Sequence, residues 1–255
     1  MSGGEAGGAG TGRAGAGREA GGAETGRAGA EGVLRILAPT PGATRVVLVR
    51  HGEAVCNVSH VVGGPEGDTG LTDLGRRQVA ALAGRLRTTG ELDDATALYA
   101  SVLPRAIETA GLLRGVVGPG TLEIEQDCGL CELHTGQSDG LTWQEVIDTF
   151  GVPDWDVDED AMLAPGGESW AEFVKRSATA VQSVAERHPG ELVVAAVHAG
   201  VIESTIISFL GITRGVYRRG WLRIVHASLT EWEWVPTESR WVLLRFNDAY
   251  GIPRV

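Results

Sequence analysis

The sequence predicts an α/β domain, a three-layer sandwich with a mainly parallel central sheet flanked by helices. Three observations carry that expectation. Short apolar runs alternate with amphipathic stretches along most of the chain. One run, "ELVVAAVHAG" from Glu191, is apolar almost without a break, as a strand covered on both faces requires. The order strand, helix, strand, helix implies parallel pairing through helical crossovers.

The elements follow in order. Val46–Val49 reads as a buried strand. In "LTDLGRRQVAALAGRLRTTG", Thr72 suits an N-cap, Leu74, Val79, Leu82 and Leu86 form one apolar face, and Gly90 is the stop. Ala97–Ala100 is a second strand, and Pro104 suits the first turn of a helix through Leu113. Leu122–Glu125 reads as a third strand. "TWQE" at Thr142 and "SWAE" at Ser169 have capping-box spacing and open two more helices. Val201–Leu210 is helical up to Gly211. Strands are expected around Leu222–Val225, Leu229–Trp234 and Trp241–Phe246.

Composition separates residues 1–32 from the rest. That block holds 13 Gly and 8 Ala, repeats "TGRAGA" at Thr11 and Thr25, and has too little apolar surface to offset its ordering entropy. It reads as a disordered tail, with residues 33–255 as the catalytic domain. The chain has 255 residues, 43% hydrophobic, with a net charge of −11. The acidic balance argues against nucleic acid or an anionic membrane as the main partner. An anionic ligand would need a local cluster of arginines. No run of 18 apolar residues and no signal-like segment occurs, and three cysteines do not make a disulfide framework. A soluble, cytoplasmic protein is expected, and a homo-oligomer is compatible with the sequence.

In open α/β sheets, ligands gather at the carboxyl ends of the strands. "VVLVRHGEAVCN" places Arg50 and His51 at one such end, and "VVAAV" places His198 at another. Arg105 follows the second strand by a few residues, and Glu132 lies in the loop after the third. Two histidines, two arginines and a carboxylate therefore converge on one edge.

The segments carrying these residues resemble the histidine phosphatase superfamily, in the branch of cofactor-dependent phosphoglycerate mutases and fructose-2,6-bisphosphatases. "RHGEAVCN" is similar to its nucleophile signature, and "GGPEGDTGLTDLGRRQ" to the segment after it. "SVLPRAIETA" resembles the second arginine motif, "LCELHTGQSDGLT" the acid-donor motif, and "PGGESWAEFVKR" with "VVAAVHAGVI" completes the set. The resemblance spans about Arg45 to Leu210.

It implies a phosphohistidine formed on His51. A phosphomonoester dianion resists attack, so catalysis is mostly positioning and charge stabilisation. Arg50 and Arg105 offer planar forks matched to phosphate oxygens. His198, if protonated, adds a third donor, while His51 must be neutral to attack. Glu132 is the candidate acid for the leaving alcohol and base for the hydrolytic water. Asn57, the backbone around Gly63, and the backbone donor at Ala199 match phosphate-contacting positions. Glu53 and Glu168 read as structural, and His60, His134, His188 and His226 as non-catalytic, with His60 and His134 in motif loops near the substrate. No cofactor and no metal is expected, because the arginines supply the positive charge.

Two other patterns are set aside. Cys128 and Cys131 form C-x-x-C with His134 following, but a structural zinc takes four ligands and the remaining cysteine, Cys56, is in the nucleophile segment. "DWDVDED" at Asp154–Asp160 lacks the glycine and final glutamate of a calcium loop and reads as a solvated loop over the pocket mouth. "ELHTG" at Glu132–Gly136 departs from the Glu-Arg-His-Tyr-Gly segment of the mutases, which ranks hydrolysis of a small phosphorylated metabolite above phosphomutase activity and above non-catalytic phospholigand binding.

Overall fold

The computed structural model describes residues 40–212 and 220–253, so the expectation for the tail lies outside the described residues. β1 (Thr44–Arg50) occupies an inner position in a six-stranded sheet. The others are β2 (Ala95–Ala100), β3 (Ile124–Gln126), β4 (Leu192–Val197), β5 (Leu229–Val235) and β6 (Arg240–Asp248), in the order β3-β2-β4-β1-β5-β6. The first four in that order run parallel, and β5 and β6 add as antiparallel strands.

Among the described residues six α-helices accompany them: α1 (Val55–Ser59), α2 (Asp73–Thr89), α3 (Pro104–Leu113), α4 (Trp143–Phe150), α5 (Trp170–Arg187) and α6 (Ala199–Phe209). The predicted signals act as expected. Thr72 caps α2 by accepting from the Gly75 amide, and Gly90 ends it at φ 65°. Thr142 with Glu145, and Ser169 with Glu172, form capping boxes on α4 and α5.

The two sheet faces are written into β1. Val47 and Val49 pack with Val79, Leu82 and Leu86 of α2 and Ala110 and Leu113 of α3. Val46 and Leu48 face the other way, onto Phe173 and Val181 of α5 and Val201 and Ile202 of α6. Every residue of β4 is buried, as its unbroken apolar run anticipates. Among the described residues no helix is long and apolar enough to cross a membrane.

Two strand expectations change. The third strand begins two residues later than expected, because only Ile124, Glu125 and Gln126 find partners on β2. Leu222–Val225 is not a strand. Its backbone groups are taken by side chains instead of a ladder: the Ile224 carbonyl accepts from the Arg50 guanidinium, and the Val225 amide donates to Asn247 Oδ1 at 2.7 Å.

Candidate active site

Sheet register brings the two histidines together. Arg50 on β1 pairs with Val197 on β4, so the residues that follow, His51 and His198, leave neighbouring strands side by side. The His51 amide donates to the Val197 carbonyl at 2.9 Å, and the two rings lie 5.2 Å apart. Ser101, the residue after β2, reaches His198 Nε2 at 2.6 Å.

The His51 ring has a defined proton arrangement. Nδ1 lies 2.7 Å from the Gly52 carbonyl, which can only accept, so Nδ1 carries the hydrogen. Nε2 is left with its lone pair, which accepts from Arg105 Nε at 3.2 Å. Burial lowers the His51 pKa well below 6.5, helped by Arg105, His198, Arg50 and His226, and keeps the ring neutral. This is the state a nitrogen nucleophile needs.

Arg105 is held by more than the site. Its Nη1 donates to Asp68 Oδ2 at 2.9 Å and to the Gly63 carbonyl at 2.7 Å, and its backbone amide donates to the same carboxylate at 3.1 Å. A cation at the start of α3 opposes the helix dipole, and the fully buried Asp68 carboxylate supplies the compensating charge. Sequence reasoning missed Asp68, which sits in a turn-rich loop without periodicity. Arg50 lies opposite, its pKa lowered to about 10 by burial, so it stays cationic at neutral pH.

Glu132 approaches from the loop after β3. Its Oε2 accepts from the Gly200 amide at 3.1 Å, and its Oε1 from its neighbour's amide, Leu133, at 3.2 Å. A β-carbon on Gly200 would lie 2.1 Å from Glu132 Oε1, so this seat exists only because residue 200 has no side chain. Ala199, expected to offer a backbone donor, opens α6 directly after His198, and the next residue, Gly200, borders the cavity with its N–H on the Glu132 carboxylate.

His198 departs from expectation in charge. It is fully buried, and desolvation with Arg105, Arg50 and Arg176 lowers its pKa well below 6.5. The ring is neutral and offers one N–H. Ser101 Oγ shares a hydrogen bond with Nε2, and Nδ1 is buried and unpartnered. Arg50 Nε is buried and unpartnered too. A buried guanidinium donor without a partner marks a place for an anion.

His226, read from the sequence as non-catalytic, stands beside the nucleophile. It lies 5.7 Å ring to ring from His51 and contacts Asn57 Oδ1 at 3.2 Å, and burial lowers its pKa to about 3. Ala227, buried at φ 55°, turns the chain so that its amide donates to the Arg50 carbonyl at 3.0 Å. A left-handed alanine leaves no signal that glycine would leave. Asn57 Oδ1 also accepts from the Ala54 amide at 3.0 Å, which leaves its NH₂ as the group offered to a ligand.

Around these groups is a cavity of about 440 Å³, bordered by Arg50, His51, Asn57, Gly63, Arg105 and Glu132. Its outer wall carries Trp143, Trp155, Trp170 and Trp221, with Trp155 stacked on Trp170 at 5.4 Å. Trp155 comes from the acidic Asp154–Asp160 loop. His60 also borders the cavity, whereas His188 is tied to Tyr99 and Glu191 away from it. Glu53 accepts from Thr72 Oγ1 at 2.7 Å and Glu168 pairs with Arg176 at 2.8 Å, both in structural roles. A shallower groove of about 840 Å³ beside α5 contains none of the His51 group.

Residues 46–249 match the family model described as the histidine phosphatase superfamily (branch 1). The chain belongs to this superfamily. Among its relatives, Phosphoglycerate mutase-like protein 4 of Arabidopsis thaliana is 35% identical over 166 residues, covering 62% of this chain and 68% of the relative. The Metal-independent phosphoserine phosphatase of Arabidopsis thaliana is 30% identical over 199 residues, 74% of this chain and 79% of that one. Among solved structures, Bacillus stearothermophilus YhfR aligns with a TM-score of 0.70 and 28% identity, covering 83% of this chain and all of the other. Its relatives in this superfamily comprise proteins named as phosphatases and as phosphoglycerate mutases or mutase-like proteins.

Proposed function

We propose that this protein is a phosphomonoester hydrolase that works through a phosphohistidine on His51. The observation that carries the reading is the ring itself: neutral, its Nδ1–H fixed on the Gly52 carbonyl, its Nε2 lone pair facing Arg105. The phosphoryl dianion sits against the Arg50 and Arg105 forks. Nε2 attacks phosphorus, the ester P–O bond breaks, and Glu132 gives its proton to the departing oxygen. The Gly52 carbonyl steadies the positive charge that develops on the ring. Glu132, now a carboxylate, takes a proton from water. That water attacks phosphorus, the P–N bond breaks, and phosphate leaves.

The tryptophan wall narrows the substrate class. A small phosphomonoester whose alcohol presents an apolar or planar face fits beside Trp143, Trp155 and Trp170. A cytoplasmic setting belongs to the same proposal, supported by three free thiols.

The test is direct. The protein is quenched in alkali during turnover of an aryl phosphate, and its peptides are weighed. An acid-labile phosphoryl group on the peptide bearing His51, absent from His51→Ala, is the expected result. Turnover without any phosphorylated peptide, at a quench time shorter than one turnover, would overturn the covalent route.

A further inference from the structure

Behind the loop that carries Glu132 is a second group of chemistry-bearing side chains that the phosphoryl reaction does not use. Asp127 caps a single tight turn, Cys128–Leu130, by accepting from the Gly129 amide at 2.7 Å, and the Cys131 amide closes the turn onto the Cys128 carbonyl at 3.1 Å. The turn sets the two cysteines on one side, and the chain then returns His134 to them. Cys128 Sγ, Cys131 Sγ and a ring nitrogen of His134 all lie within 4.8 Å of one another. Cys128 Sγ and His134 Nε2 are 3.5 Å apart.

Zinc–sulfur bonds of about 2.3 Å and zinc–nitrogen bonds of about 2.0 Å in a tetrahedron separate ligand atoms by roughly 3.5–3.8 Å. The cysteine–histidine pair already has that spacing. The widest separation needs to close by about 1 Å, within reach of side-chain rotation at the exposed Cys128 and His134.

A carboxylate also stands near the second nitrogen of the candidate imidazole. His134 Nδ1, the nitrogen turned away from Cys128, lies 3.8 Å from Glu168 Oε2. A carboxylate behind the ligating ring orients it and raises its basicity. Glu168 is fixed by Arg176, whose remaining donors hold the carbonyls of Cys128 at 3.1 Å, Gly129 at 2.8 Å, Cys131 at 3.2 Å and Glu132 at 3.2 Å. The turn is thus built before any ion arrives. Cys128, Cys131 and His134 also border a cavity of about 290 Å³, which Glu132 shares, with room for a water.

We propose that Cys128, Cys131 and His134 bind one Zn²⁺, with water from this cavity as the fourth ligand. Two thiols release their protons to solvent, two Zn–S bonds and one Zn–N bond form, and the ion sheds its hydration water; nothing is oxidised or reduced. Two thiolates balance the ion's charge beside Arg176. Soft sulfur with imidazole selects zinc over magnesium or calcium. The ion lies outside the reacting atoms and staples the segment that carries Glu132. The sequence pattern leaves the ligand set one short; the fold adds the carboxylate beside His134 and the cavity whose water completes the four.

The test uses the full-length, untagged chain, reduced and metal-free, titrated with Co²⁺ and then Zn²⁺. One equivalent of Co²⁺ should give tetrahedral d–d bands and a thiolate-to-cobalt charge-transfer band, both erased by Zn²⁺, and Zn²⁺ should raise Tm. Cys128→Ser and His134→Gln should each weaken Zn²⁺ binding at least tenfold while the metal-free variants keep their turnover. His51→Ala should bind cobalt unchanged, which separates this site from the phosphoryl pocket. Absence of the charge-transfer band, undiminished metal affinity in Cys128→Ser, loss of the band in His51→Ala, or a Cys128–Cys131 disulfide that persists under reductant with no metal taken up would each overturn the assignment.

Discussion

Arg105 Nε donates to His51 Nε2 at 3.2 Å, so the guanidinium that is to hold the phosphoryl group also marks the lone pair that is to attack it. Two variants divide these roles. His51→Ala should abolish turnover of aryl and alkyl phosphates while the melting curve stays cooperative. Arg105→Lys keeps the charge and loses the fork, and should lower kcat/KM by about 10²–10³. Steady-state kinetics on folded protein checks both, and near-normal turnover in His51→Ala would remove it as the nucleophile.

Glu132 should matter most where the leaving group needs a proton. General acid help is typically worth about 10²–10⁴-fold for an alkoxide and little for a nitrophenolate, which is stable as the anion. In rapid mixing, Glu132→Gln should keep its nitrophenolate burst, then turn over slowly because water attack also needs the carboxylate. Equal loss of the phosphorylation step for alkyl and nitrophenyl esters would transfer the acid role elsewhere.

Asp68 should behave as a stand-in for substrate charge. Its carboxylate is fully buried against Arg105. Asp68→Asn leaves that guanidinium uncompensated and should cost about 3–5 kcal/mol of stability. Inorganic phosphate or vanadate should then raise Tm more in the variant than in the native chain. Equal ligand-induced shifts in calorimetry would show that Arg105 does not face the anion.

The loops explain what was legible in the sequence and what was not. β1, β4 and the helix caps follow from local pattern, and the neighbouring register of His51 and His198 follows from placing both after buried strands. Asp68 and His226 had no such signal. One lies in a turn defined by a distant arginine, the other before a left-handed alanine that only the folded chain requires. Leu222–Val225 has the apolar content of a strand, but Arg50 and Asn247 take its backbone groups. Propensity is a weak guide where side chains from elsewhere supply the hydrogen bonds.

Acid should unfold this protein early. His51 and His198 have pKa values lowered well below 6.5, and His226 lowered to about 3. Unfolded, each titrates near 6.5, so below that pH the unfolded state binds more protons than the folded one. Their stabilising effect is complete above pH 6.5 and is lost as pH falls, by about 1.4 kcal/mol per group per pH unit. Three groups should lower Tm by roughly 10 °C per unit below pH 6. His226→Asn should flatten the slope by about a third, and a Tm unchanged between pH 7 and pH 5.5 would contradict the neutral-histidine cluster.

The sheet order also sets when the site comes into being. β1 ends at Arg50, yet both of its neighbours in the sheet, β4 and β5, begin at Leu192 and Leu229. During synthesis at about 5–20 residues per second, the strand bearing the nucleophile waits roughly seven to thirty seconds for its first partner. Through that interval its apolar residues have no ladder, and neither His51 nor Arg105 has the geometry that gives it a role. Nascent chains that stop short of β4 should therefore be prone to aggregate and should rely on chaperones, and split versions of the protein should regain activity only when β4 and β5 are supplied together.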